Sequence, residues 1–335
     1  MALIVLSSLG LSAQPWFGYY GNAIQDPTDR VAQMREHATY SNTTMAVRWW
    51  VEADWQAAKD ADLRVILQWP HEFWLTVDAG TPLLLDLPMW CRMSLGEDPG
   101  WCNQTAADWL SVVLTHRDEV AYIGIVDEYD CGVPYSQWLA NRTNCRTAAA
   151  KIEANVADAR LYLPGIPLHV NYTATWASLF TTTKDAPWRR DYYGIYLSSA
   201  DYVGFDCYTP FDRCARDGVG IYGVPTLIAN LERVMTPEQR IVLIPRAFNA
   251  AFLNWAPSPE TVAAMAWQYQ QYMQGHPRVV GMMPFIWWDL MGPGSGAMHT
   301  PAIRHAYEQI GMRVTGRPGP PPPSAPTGLR ILQES

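Results

Sequence analysis

Eight short apolar runs, each followed by a helical pattern, are spread over roughly 300 residues. That alternation predicts an α/β chain folded as a (β/α)8 TIM barrel, a parallel sheet closed on itself with helices outside. A second observation points the same way. The run Tyr122-Ile123-Gly124-Ile125-Val126 is continuously apolar and leads straight into Asp127-Glu128-Tyr129-Asp130. An unbroken apolar run of this length reads as a strand buried on both faces, as in parallel sheets. Thirdly, no G-x-G-x-x-G comes after the first strand and no G-x-x-x-x-G-K-[ST] occurs, so nothing supports a nucleotide-binding doubly wound sheet.

The units run in order. Trp16–Tyr20 is a first strand, and Asp26-Pro27 caps a helix over Thr28–Ala38, with Pro at the first helical position. Thr44–Trp49 is the second strand and Glu52–Ala61 its helix. Arg64–Trp69 is the third, followed by a long excursion that returns as a helix over Thr105–Arg117. The acid-terminated run is the fourth strand, with a helix over Arg146–Tyr162 behind it. Pro167–Tyr172 and Asp201–Asp206 are the fifth and sixth. A helix over Thr226–Val234 leads to strand seven, Arg240–Pro245. Pro259–Gln274 then leads to strand eight, Val279–Phe285, and Pro301–Gly311 closes the run.

Composition narrows the class. Of 335 residues 49% are hydrophobic and 17% charged, which suits a large buried core rather than disorder. A net charge of −8 without a basic stripe argues against a nucleic-acid partner. No segment is apolar for long enough to span a bilayer. Residues 2–13 form a short apolar run ending in small residues, like the core and cleavage site of a secretory signal, with Ala13 as the expected cleavage position. Secretion, extracellular or periplasmic, is therefore expected. Six cysteines fall into close sequential pairs: Cys91 with Cys102, Cys131 with Cys145, Cys207 with Cys214. Proximity suggests that pairing among the fifteen connectivities that six cysteines allow. Four glycosylation sequons begin at Asn42, Asn103, Asn141 and Asn171. After Val314 the composition breaks into a proline-rich linker over 315–324, leaving 14–314 as the expected barrel domain.

Ligands of parallel barrels sit at the carboxyl ends of the strands. The residues expected there are Trp49, Trp69, Asp127, Glu128, Asn171, Tyr172, Asp206, Tyr208, Arg246, Trp287 and Trp288, with Asp212 in the loop after strand six. Tryptophan is unusually abundant, at 16 against 8 Phe. Flat amphipathic rings around acids suit a sugar-binding cleft, the rings stacking on pyranose faces and the acids binding hydroxyls. His71-Glu72 and Arg246 are further candidates, Arg246 either for an acidic sugar or for an ion pair with Asp206. Neither a cofactor nor a metal is required by any motif, and no H-E-x-x-H or G-x-S-x-G occurs.

With these residues in place, the chain over roughly residues 15–312 resembles the TIM-barrel glycoside hydrolases. The resemblance rests on the acid ending strand four, the aromatic-flanked acid ending strand six and the paired Trp ending strand eight. It implies cleavage of a glycosidic bond in a poly- or oligosaccharide by two carboxyl groups, one protonating the leaving oxygen and one attacking or activating water. Glu128 matches the proton donor that the large retaining clan carries on strand four. That clan's strand-seven Glu has no match, because strand seven ends Pro245-Arg246-Ala247. Two partners for Glu128 remain open. Asp127-Glu128 is similar to the adjacent pair of the hexosaminidase-like families, and Asp206 is the other choice. Strict strand alternation points Asp127 away from Glu128 and so favours Asp206. A non-catalytic carbohydrate-binding or adhesion module on the same scaffold is the alternative. Residues 325–335 resemble the start of a fibronectin type III module, which implies further modules beyond the linker.

Overall fold

The computed structural model describes residues 15–19, 27–46, 52–68, 106–129, 160–174, 196–216, 220–251, 255–286 and 294–319, with isolated helical positions between 146 and 177. Eight strands form one parallel sheet: β1 (Trp16–Phe17), β2 (Thr43–Ala46), β3 (Arg64–Gln68), β4 (Val120–Tyr129), β5 (Leu168–Thr173), β6 (Tyr202–Cys207), β7 (Arg240–Pro245) and β8 (Val279–Met282). Consecutive strands pair from β2 through to β8, and β1 pairs with β8. Asn42 bridges the seam between β1 and β2. Asn42 donates its backbone N–H to the Phe17 carbonyl at 3.0 Å. Its side chain accepts from the Phe17 N–H and donates to the Pro15 carbonyl, both at 2.9 Å. The sheet is therefore a nearly closed (β/α)8 barrel, as the sequence predicts.

Helices α1 (Pro27–His37), α2 (Glu52–Asp60), α3 (Ala106–Thr115), α4 (Val224–Glu232), α5 (Pro259–Gly275) and α6 (Pro301–Thr315) lie in the expected places. Their starts are set by local chemistry. α5 begins with Pro259 behind Ser258, whose hydroxyl accepts from the Thr261 N–H at 3.2 Å. α6 begins with Pro301 and ends at Gly316, whose φ of 69° only glycine adopts freely.

Two apolar layers separate the inside of the barrel from the outside. Val203, Phe205 and Cys207 of β6, with Ile241 and Leu243 of β7, pack outward on the helices. Trp16, Met45, Ile66, Tyr122, Val242 and Ile244 form a second cluster in the lumen. The amino-terminal floor of the lumen is aromatic. Trp16 lies 5.3 Å from Tyr122 and 4.6 Å from Tyr202 by ring centroids. Glycines make room around this plug: a Cβ on Gly281 would stand 3.2 Å from that of Trp16, and one on Gly204 only 2.3 Å from the Val242 carbonyl oxygen.

After α6 the chain stays on the barrel as far as Gly319. Arg317 donates through Nη1 to the carbonyls of Ala38 (2.6 Å) and Ala61 (3.1 Å), and through Nη2 to the Asp62 carboxylate (2.9 Å). It thereby caps the carbonyl ends of α1 and α2, where a cation is favoured. Gly319 donates its N–H to Thr39 O at 3.0 Å. The remaining proline-rich stretch, the fibronectin-like residues 325–335 and residues 1–13 lie outside the described residues. Among those described, no helix is long and apolar enough to cross a membrane.

Candidate functional site

Alternation sorts the rim residues. On β5, Leu168, Val170 and Tyr172 belong to the outer layer, so His169, Asn171 and Thr173 face the lumen. On β6 the same reasoning turns Gly204 and Asp206 inward. Thr173 pairs in register with Asp206, and Asp206 with Ile244, so all three stand at one height near the carboxyl rim. Asp206 is only 8% exposed and Asn171 2%. Tyr208, two residues beyond Asp206, joins an aromatic group with Phe248 at 5.5 Å and Phe285 at 5.3 Å.

β4 carries the acids at its carboxyl end. Its pairing with β5 slips twice, between Gly124 and Val126 and again between Val126 and Tyr129. The second irregularity spans Asp127 and Glu128. A bulge inserts an unpaired residue and re-aims the side chains next to it. Strict alternation therefore does not hold across this pair, and the sequence argument that turned Asp127 away from Glu128 loses its premise. Tyr129 is level with Tyr172, which sets the two acids close to the height of Asn171. The side chains of residues 126–129 are outside the described set, as are Trp49, Trp69, His71, Glu72, Trp287 and Trp288.

Three expected site residues take other roles. Tyr172 does not line the cleft. It is fully buried in the outer layer, where its hydroxyl accepts from the Leu197 N–H at 2.8 Å and its ring stacks on Tyr196 at 5.9 Å. An even step along β5 from Val170 put it outside. Asp212 sits in a short 3-10 turn with its side chain 74% exposed, 3.6 Å from its neighbour Arg213, and takes no part in the buried rim. Arg246 pairs with neither Asp206 nor solvent. It is 1% exposed, and its guanidinium donates to three main-chain carbonyls: Nε to Phe248 (2.9 Å), Nη1 to Tyr208 (3.0 Å) and Nη2 to Ala250. Burial lowers its pKa to about 10.

The loop after β6 is stapled as expected by Cys207–Cys214, with Cα atoms 5.4 Å apart. The other two cysteine pairs lie outside the described residues. Two sequons are already occupied by structure, since Asn42 forms the seam and Asn171 is buried.

Sequence reasoning missed His169, Phe248 and Phe285. His169 lies within the lumen beneath the acids, 5.0 Å from the Tyr122 ring, and burial drives its pKa down to about 3. The alternation Leu168-His169-Val170-Asn171 would have found it. Phe248 follows strand seven and reads as an ordinary loop apolar residue, while Phe285 reads as the last residue of strand eight and in the structure lies beyond it. Among the described residues, no group of three or more His, Cys, Asp or Glu could hold a metal ion.

No family model and no curated protein matches this sequence. Solved structures do resemble it. The β-glucuronidase of Bifidobacterium dentium, complexed with coumarin-3-O-glucuronide, is 10% identical over 88% of this chain and 46% of that one, with a TM-score of 0.50. A β-galactosidase from the psychrophilic Marinomonas ef1 is 13% identical over 88% of this chain and 59% of its own, at 0.49. Bacteroides uniformis β-glucuronidase 2 is 10% identical over 82% of this chain and 30% of that one, at 0.46. This chain thus spans between 30% and 59% of those proteins. At 10% identity the likeness to the Bifidobacterium dentium enzyme is one of fold.

Proposed function

We propose that this chain is a secreted glycoside hydrolase that cleaves a poly- or oligosaccharide, with Glu128 as proton donor and Asp206 or Asp127 as its helper. The observation that carries the reading is the shared rim of β4 and β6. Both strands end in acids on the carboxyl side of one barrel, with β5 between them. Neighbouring strands are about 4.8 Å apart, so the two acid-bearing backbones stand roughly 10 Å apart. Side chains reaching inward from such a separation span the carboxyl distances used in glycoside hydrolysis, about 5–9.5 Å. The slip in β4 keeps Asp127 in play as the residue that would orient a substrate's own acetamido nucleophile. The Bifidobacterium dentium β-glucuronidase has the same fold, but fold alone does not bring an activity with it.

Hydrolysis of a glycan panel by wild type and by Glu128→Gln tests the proposal. Turnover should fall by about 10²–10⁴ on loss of the general acid. Cleavage that survives the substitution would refute the assignment. The second reading, a non-catalytic carbohydrate-binding module, is favoured by one observation: β7 ends in Arg246, fastened to carbonyls, where a second Glu would be expected in the retaining clan. Binding of a glycan by wild type without any turnover supports that reading instead.

A further inference from the structure

We infer that Arg246 is a positioning residue that sets the shape of the carboxyl rim at β6, β7 and β8. A guanidinium has five N–H donors in a fixed planar fork. Three of them are committed to carbonyls from two separate loops, Tyr208 after β6 and Phe248 and Ala250 after β7. The fork therefore locks the residue two places beyond Asp206 to the segment after β7. On its faces the guanidinium carbon lies 4.2 Å from the Phe248 ring centroid and 5.2 Å from that of Trp255.

The backbone of Arg246 is tied just as closely. It bridges Phe285 in parallel register, with the Phe285 N–H on the Pro245 carbonyl at 2.8 Å and the Ala247 N–H on the Phe285 carbonyl. From outside the sheet, the Tyr307 hydroxyl on α6 donates to the Arg246 carbonyl at 2.7 Å. One residue thus joins the ends of three strands to a helix.

A cost accompanies this arrangement. Arg246 is buried and meets no carboxylate among the described residues. Burying a cation carries a desolvation cost, and an apolar residue of similar volume would be cheaper for stability alone. What an apolar residue could not supply is the fork, which holds the carbonyls of Tyr208, Phe248 and Ala250 at fixed positions, the first of them two residues beyond Asp206.

This inference rests on the glycosidase reading for its catalytic consequence, though not for its structural one. Two measurements on Arg246→Lys keep them apart. Lysine keeps the charge and loses the planar fork. Amide hydrogen exchange should speed up by about tenfold or more at Ala247, Asn249 and Phe285, while Ile123 of β4, bonded to Pro167, keeps its rate. On any glycan that wild type cleaves, kcat should fall by about tenfold or more with KM within about threefold, as expected of a misplaced catalytic group. Unchanged exchange at those three amides overturns the positioning role. A fall in kcat that merely tracks the folded fraction reduces the residue to a structural one and overturns it as well. If wild type cleaves no glycan, the function proposal fails and the exchange rates still decide this one. Should Arg246→Lys fail to fold, Arg246→Met, which keeps a similar volume and removes every donor of the fork, is read by the same two measurements.

Discussion

The Asn42 side chain accepts the Phe17 N–H at 2.9 Å, across the junction of the barrel at which β1 meets β2. Parallel ladders join all the other neighbouring strands, while at this junction a side-chain amide stands in for the missing rungs. Phe17 is completely buried, so its N–H has no water to turn to. Loss of the acceptor leaves that donor orphaned, which costs about 1–3 kcal/mol. Asn42→Ala should therefore lower the stability read from urea unfolding by that amount without changing the m-value. A loss below about 0.5 kcal/mol, the usual range for surface positions, would deny the seam its role. The same bonds predict that Asn42, although a sequon, carries no glycan when the protein is expressed in a glycosylating host. Peptide mass spectrometry reads that directly.

Gly204 and Gly275 make opposite predictions from the same substitution. A Cβ on Gly204 would stand 2.3 Å from the Val242 carbonyl oxygen, a main-chain atom of the neighbouring strand that cannot step aside. Gly204→Ala should cost about 3 kcal/mol or more, in the range of severe overpacking. Gly275 ends α5 with nothing within 4 Å of its Cβ position. Gly275→Ala should stabilise by about 0.4–1 kcal/mol, by restricting the unfolded chain. Thermal melts of the two variants side by side settle the contrast, and equal shifts would contradict it.

His169 and His37 make the barrel sensitive to acid. Burial holds each at a pKa of about 3, against an ordinary value of 6.5. Above pH 6.5 both are neutral in the folded and unfolded chain, and no stability is lost. Below it the unfolded chain takes up protons that the folded chain refuses. Stability therefore falls as pH drops from 6.5 toward 3, by up to about 1.4 kcal/mol per pH unit for each histidine. Urea titrations between pH 6.5 and 4.5 should show a shallower slope for His169→Gln than for wild type, by up to about 1.4 kcal/mol per unit. Parallel slopes would mean that His169 gains a proton in the folded state.

Much of this fold was legible because two periods run through the sequence. β7 spans Arg240–Pro245 as read, and α5 begins at Pro259 because Ser258 and Pro259 mark its start chemically. The ends of strands were harder to read. β1 and β8 are shorter than their apolar runs: Tyr19 is held by packing, and Phe285 touches the neighbouring strand through a single parallel bridge to Arg246 rather than a continuous ladder. At the rim, identity alone misassigned Tyr172 and Arg246. A tyrosine beside an asparagine at a strand end looks like a ligand-binding pair, but adjacent positions on β5 face opposite sides of the sheet. An arginine after a strand looks like an anion receptor until its carbonyl partners are located, and those lie up to 38 residues away in sequence. The slip in β4 has no sequence signal beyond Gly124, so the relation of Asp127 to Glu128 could only come from the register.

Asp206 and Asp212 lie in the same loop-and-strand segment and should respond differently to the same change. Asp206 is 8% exposed on the lumen side of β6, in register with Thr173 and Ile244. The Asp212 side chain is 74% exposed within the Cys207–Cys214 staple, beside Arg213. An exposed pair of that kind contributes little, about 0–1 kcal/mol. Asp212→Asn should leave both the melting temperature and any glycan turnover close to wild type. Asp206→Asn keeps the volume and removes the charge from a buried rim. If Asp206 is the second carboxyl group, turnover should fall by about 10²-fold or more. If the helper is Asp127 acting through the substrate's acetamido group, Asp206→Asn should change turnover far less, and Asp127→Asn should take the larger loss. Rates for the three variants on one cleavable glycan separate the two mechanisms. Equal small effects from Asp206→Asn and Asp127→Asn would remove both as partners of Glu128.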